Sequence, residues 1–260
     1  MDYFIICMVA LFVSSLTLFS GFGLGTLLMP AYALFFPLPV AIAATAVVHL
    51  ANNIFKAALV GREADWRVVV KFAVPAAIAA MLGAFLLNFL TEIEPLASYH
   101  LGETEYEIHF VRFVVGVLII GFAFWDLLPG LRNIAFNRKY LPLGGLLSGF
   151  FGGLSGLQGA LRSAFLIKAG LSKETFIGTG TMAAVIVDAA RLLVYGLSFY
   201  TMEFQQLEAM SGIIIAAVIA AFIGSFIGAR LIKKITMQAI QMIVGVMLIL
   251  VGAGMAAGLY

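Results

Sequence analysis

The chain has 260 residues, 63% of them hydrophobic and only 11% charged, and its mean hydropathy is +1.11. Soluble domains run about 45–50% apolar and about 25% charged, so this composition does not clothe a globular surface in water. A soluble enzyme, a nucleic-acid binder and a disordered chain are excluded, and a net charge of +2 gives a polyanion little to hold.

What remains is a polytopic helical membrane protein, and its elements can be taken in order. Region 3–36 is apolar and broken by the cluster Gly21-Phe-Gly-Leu-Gly25. The first basic residue is Lys56, so the N-terminal stretch lacks the charged n-region of a cleaved signal peptide. Stretches 39–61, 68–90 and 110–129 are long enough to cross about 30 Å of hydrocarbon. A second broken region, 141–170, carries Gly152-Gly-Leu-Ser-Gly-Leu-Gln-Gly159, and spans 174–196, 210–230 and 237–258 follow it. The arms around both breaks are about 14–18 residues, or about 21–27 Å, and most are too short to cross comfortably. The single Cys7 removes an internal disulfide, a cysteine-pair relay and a Cys-cluster zinc site.

Charge fixes the orientation. Loop 91–109 has five Glu and loop 197–209 has Glu203 and Glu208, and neither holds a Lys or Arg. Arg62, Arg67, Lys71, Arg138, Lys139, Lys168 and Lys173 gather at the opposite ends of the spans. Basic residues favour the cytoplasm, so those ends face in and the Glu-rich loops face out. Both termini are then extracytoplasmic.

The two halves also match each other. At an offset of 135, Ser20-Gly21 meets Ser155-Gly156, Asn53 meets Asp188, Lys56 meets Arg191 and Gly61 meets Gly196. Ala79-Ala-Met-Leu-Gly-Ala-Phe85 matches Ala220-Ala-Phe-Ile-Gly-Ser-Phe226, and Val115-Gly-Val117 matches Val244-Gly-Val246. An odd number of crossings per unit inverts the second copy. The expected fold is therefore an all-α polytopic membrane protein with a single transmembrane domain. It is an inverted repeat of two units, 1–129 and 130–260, each a broken (re-entrant or half-length) helix hairpin plus three transmembrane helices.

The run Ser20-Gly-Phe-Gly-Leu-Gly-Thr-Leu-Leu-Met-Pro30, followed by Ala41-Ile-Ala-Ala-Thr45, resembles the opening motif of the sulfite exporter TauE/SafE family. Gly149-Phe-Phe-Gly-Gly-Leu-Ser-Gly-Leu-Gln-Gly159 and Gly178-Thr-Gly180 resemble its second copy. The resemblance covers nearly the whole chain and implies transport of sulfite, sulfonates or related organosulfur anions, generally by export. Arg162-Ser163 departs from the plainer apolar or Pro-containing run of many members, which leaves the anion itself open.

The residues suggest how an anion is held. A helix that starts in mid-membrane leaves about four N–H groups unsatisfied and a positive partial charge at its end. Two such starts, one after Gly21, Gly23 and Gly25 at Thr26 and one after Ser155, Gln158 and Gly159, would form an anion site if they point to one centre. The competing reading is that these glycines only let helices pack closely. Arg162 would add charge and a planar fork that fits two oxygens of a sulfonate, unless it reaches inner headgroups. Asp188 and Arg191 share a helix face and form either a structural ion pair or a proton-coupling site. Asn53 takes the place of Asp188 in the first repeat, among the substrate-binding residues. His49, Asn52 and Thr179 are expected to line the cavity.

The function expected is an anion transporter of the cell inner membrane, with energetics that suit export: one monoanion leaving a negative cytoplasm gains about 2.3 kcal/mol per 100 mV. The alternatives are a proton-coupled importer of another small anion and a non-transporting membrane scaffold. An intramembrane enzyme would need paired carboxylates or a Ser/His set that the chain lacks. The partners expected are a small anionic substrate and the lipid bilayer, with no nucleic acid, no cofactor and no metal; a homo-oligomer is left open.

Overall fold

The computed structural model describes residues 2–17, 24–132, 134–199, 210–231 and 237–259. Helices dominate. The first half holds α1 (Asp2–Thr17), α2 (Leu24–Ala33), α3 (Leu38–Val60), α4 (Trp66–Thr91) and α5 (Phe110–Leu127). The second holds α6 (Leu141–Ser155), α7 (Gly159–Leu166), α8 (Lys173–Phe199), α9 (Ser211–Leu231) and α10 (Met237–Ala256).

Leu38–Glu63, Trp66–Thr91, Lys173–Leu197 and Ser211–Gly228 are each long and apolar enough to cross a membrane. Helices α5 and α10, with 18 and 20 residues, reach about 27 and 30 Å at 1.5 Å per residue. One face of α4 shows why the composition is so apolar. Val74, Ile78, Leu82, Phe85 and Phe89 are exposed, whereas Phe72, Ala76 and Ala80 on the other side are buried. So large an apolar stripe belongs against lipid. Asp65 starts this helix by accepting from the N–H groups of Arg67 and Val68, which covers two of the donors a helix start leaves bare.

Both halves contain a helix pair in place of one long helix, with second arms shorter than expected. Helix α2 has 10 residues and α7 has 8. Helix α2 ends at Ala33, shortly before the Phe36-Pro37 step, where a residue preceding proline is disfavoured in helical geometry. The second arm gives way to Gly170, whose φ of 77° turns the chain toward α8. The break between α6 and α7 falls at Gly156, which has a φ of 78° and whose N–H closes α6 onto Gly152 O. Gly21 and Gly23 lie outside the described residues.

Packing exchanges helices between the halves. Gly145, Gly149 and Gly153 recur every fourth residue on α6, where an added Cβ would strike the backbone of Phe72, Ala76 and Ala80 on α4. The matched order shows that α4 and α6 run parallel at backbone contact. Helix α9 sits on α1 in the same way, Gly224 against Leu11 and Gly228 against Ser15. Helix α5 meets α10 antiparallel, with Gly116 against Gly252 and Ala256 and Gly245 against Leu127. Helix α3 also meets α8 antiparallel, since Gly178 abuts Val60 and Asn53 bonds to Asp188.

The Glu-rich loop holds an element that the sequence reading omitted. Ala97–Leu101 (β1) and Thr104–Ile108 (β2) form an antiparallel hairpin with Leu101 opposite Thr104. Gly102, at a φ of 67°, provides the tight turn. Tyr99 stacks on Tyr106 at 5.6 Å and donates its hydroxyl to Ala257 O at the end of α10.

Candidate functional site

The site forms where α3 and α8 cross beside the α6–α7 break. On α3, His49, Asn52, Asn53 and Lys56 are three or four residues apart, so they share one face; all four are buried. On α8, Asp188 and Arg191 face them, and both have no exposed surface. The break adds Gln158 at the start of α7 and Arg162 one turn later, 2% and 7% exposed.

Asp188 is the hub. Its Oδ1 accepts from Arg191 Nε at 3.1 Å, from an Arg191 terminal nitrogen at 2.8 Å and from Gln158 Nε2 at 2.8 Å. Its Oδ2 accepts from Asn53 Nδ2 at 3.1 Å and lies 2.6 Å from His49 Nδ1. A carboxylate only accepts, and here each of its oxygens meets donors from more than one residue. Removing a charged pair from water is unfavourable unless its remaining hydrogen-bonding capacity is filled, and this constellation fills it.

The arginines divide the work. The remaining terminal nitrogen of Arg191 donates to Gly152 O at 3.0 Å, so its fork is spent on Asp188 and on α6. Arg162 donates to Gln158 Oε1 at 3.1 Å. Gln158 thus has its amide nitrogen on the acid and its amide oxygen on the arginine, and its carbonyl accepts from Ser148 Oγ at 2.9 Å. Lys56 and Arg162 lie within Coulombic reach of each other, and Arg162 also feels Asp188 and Arg191.

The first turn of α2 approaches the α6–α7 break here. A Cβ on Gly25, in the first turn of α2, would sit 3.2 Å from Gly156 O and 3.7 Å from the His49 ring. Gly159 opens α7 and is buried. The side chain of Thr26, like Gly21 and Gly23, falls outside what is described.

Three of the expected residues are engaged elsewhere. Ser155 Oγ donates back to Phe151 O within α6. Asn52 Oδ1 accepts from Ser225 Oγ at 2.8 Å and ties α3 to α9, while its Nδ2 is buried with no partner among the described residues. Thr179 Oγ1 accepts from the Asp65 N–H at 2.9 Å and pins the α3–α4 turn to α8. Tyr195, Ser148 and Ser225 were not singled out from the sequence. Tyr195 donates its hydroxyl to Gly153 O, one helical turn beyond Arg191.

Among the described residues no three His, Cys, Asp or Glu side chains gather as metal ligands. The arrangement is a polar knot inside an apolar helix bundle, with cations in excess and donors converging from three helices. No curated protein and no solved structure gives a match to this chain. The family model for sulfite exporter TauE/SafE matches residues 5–255, nearly the whole chain, and the chain belongs to that family of membrane transporters of sulfur anions.

Proposed function

We propose that the chain exports sulfite or another small organosulfur anion across the inner membrane, holding it beside Arg162 and Lys56 between the two helix breaks. One observation carries this reading. Among the described residues, Lys56, Arg162 and Arg191 are buried together with a single carboxylate, Asp188. Charge inside a membrane calls for compensation, and an anion in transit supplies it. Backbone N–H groups at the starts of α2 and α7 (around Gly25, Thr26, Gln158 and Gly159) would give directional donors, and Asn53 completes the wall opposite.

On this reading residues 1–129 and 130–260 are inverted repeats, and both termini are extracytoplasmic. Support comes from the helix directions: α5 against α10 and α3 against α8 are antiparallel, and the α1–α9 and α4–α6 contacts are parallel and made by the same kind of glycine. A two-fold axis in the membrane plane would produce that pattern.

The test is efflux of labelled sulfite from proteoliposomes under a clamped potential, negative inside. Flux should exceed that of empty liposomes and fall in Arg162→Ala. No flux above the empty control from folded protein would defeat the proposal. Proton-coupled import is a second reading, favoured by the 2.6 Å contact of His49 with Asp188. An imposed pH gradient would drive accumulation in that case and have no effect on plain export.

A further inference from the structure

Along α3, Thr45, His49, Asn52 and Lys56 follow one another at steps of four, three and four residues. At about 100° per residue they fall in a strip about 60° wide and about 16 Å long. All four are buried, Thr45 and Asn52 with no exposed surface. His49 is held by Asp188 at 2.6 Å. The other three keep donors unspent. Thr45 Oγ1 and Asn52 Nδ2 have no hydrogen-bond partner among the described residues, although Asn52 Oδ1 accepts from Ser225 Oγ at 2.8 Å. No carboxylate among the described residues lies within ion-pairing distance of Lys56.

A buried donor left unpaired costs free energy. A hydroxyl in a helix can avoid that cost by turning onto the carbonyl four residues back, as Ser155 does. Thr45 does not. The matching face of α8 carries no such atoms: at the offset of 135, Thr45, His49 and Asn52 meet Gly180, Ala184 and Val187. Ala184 and Val187 are buried as deeply as their counterparts, so depth alone does not call for polar side chains there.

We infer that this strip of α3 is the anion's path away from Lys56, with the Asn52 amide and the Thr45 hydroxyl as neutral stations that donate to the ion in passing. The inference rests on the proposed function and deepens it by putting the route on α3 rather than α8. The unpaired donors are then held back for the substrate. Neutral donors suit a route better than further cations would, because an ion must bind well enough to enter a station and weakly enough to leave it. Both stations are sealed in this conformation, so the route opens only when the helices around α3 part. On the proposed orientation Thr45 lies on the outer side of Lys56, the direction that export requires.

The experiment measures sulfite efflux from proteoliposomes, sulfite affinity by calorimetric titration and thermal unfolding, all on the full chain. Thr45→Val removes an unpaired hydroxyl and keeps the shape, so the unfolding midpoint should hold or rise. Efflux should nevertheless fall about threefold to tenfold, the worth of one hydrogen bond in a barrier, with affinity unchanged. Asn52→Leu should slow efflux in the same way. Ser225→Ala breaks the tie to α9 but leaves the Asn52 amide in place, so efflux should stay native. Native efflux in folded Thr45→Val overturns the path. So does slowing by Ser225→Ala equal to that by Asn52→Leu, which assigns Asn52 to helix packing. If Asn52→Leu fails to fold, Thr45→Val decides alone. Loss of affinity in step with efflux in Thr45→Val puts Thr45 in the binding site and also overturns the path. No efflux from the folded native chain overturns the proposed function together with it.

Discussion

Asn53 Nδ2 donates to Asp188 Oδ2 at 3.1 Å across 135 residues of sequence. That separation is the offset at which the two halves of the chain match, so these residues occupy corresponding places and touch each other. On the proposed inverted-repeat arrangement, a pair of that kind would meet near the axis relating the halves. An amide faces an acid there, and the difference makes the two sides of the cluster electrically unequal.

Asp188→Asn should expose how much the cluster depends on that acid. Arg191 would remain buried without its carboxylate, a loss of about 3–5 kcal/mol for a broken buried pair. Denaturant or thermal unfolding in detergent measures it, and adding Arg191→Met should restore part of the stability. If Asp188 also carries a proton, the folded single variant will transport with a flat pH profile. An unchanged profile assigns Asp188 to a structural partnership with Arg191.

Arg162 should discriminate charge from shape. Arg162→Lys keeps the charge but loses the fork, and anion binding should weaken. Arg162→Ala should weaken it further, by about 1.5–3 kcal/mol for the lost charged hydrogen bonds. Titration with sulfite reads both. Native affinity and flux in Arg162→Ala would remove this residue from the site.

The glycines of α6 should be far less replaceable than a glycine facing lipid. A Cβ at Gly149 would strike the backbone of Ala76, whereas one at Gly121 meets nothing within 4 Å. Gly149→Ala is expected to lower stability by about 1–3 kcal/mol through overpacking. Gly121→Ala should be neutral or stabilise α5 by up to about 1 kcal/mol. Midpoints of thermal unfolding compare the two directly.

Topology is tested with single cysteines in a Cys7→Ser background. Ser98 lies on β1 and Asn137 between α5 and α6, and both are exposed. A membrane-impermeant thiol reagent should reach Ser98→Cys from outside and Asn137→Cys only after permeabilisation. Labelling of both from one side would break the inverted arrangement.

The long elements were legible in the sequence because hydrophobic length is itself the signal. Spans at 39–61, 68–90 and 174–196 lie within a few residues of α3, α4 and α8. One local pair was legible too, since Asp188 and Arg191 are one helical turn apart. Long-range partners were not. Nothing at His49 announces a carboxylate 139 residues away, and Ser155 looks available until its hydroxyl turns back to Phe151. The hairpin was hidden by its charge. Five Glu read as an outer loop, although Gly102-Glu103 suits a two-residue turn and Glu105-Tyr106-Glu107-Ile108 alternates as a strand does.

The exchange of helices has a consequence for how the protein is made. Helix α1 leaves the ribosome first, yet the helix whose backbone it meets through Gly224 and Gly228 is α9, some two hundred residues later in synthesis. Helix α4 likewise waits for α6. A chain stopped at residue 129 would therefore leave the faces of α1 and α4 that meet α9 and α6, Gly83 of α4 among them, turned to lipid with nothing to dock on them. Assembly is thereby deferred to the end of insertion. The newborn protein must keep its first helices apart and soluble in the bilayer until their late neighbours arrive, and His49 and Asn53 of α3 must wait as long for the carboxylate on α8.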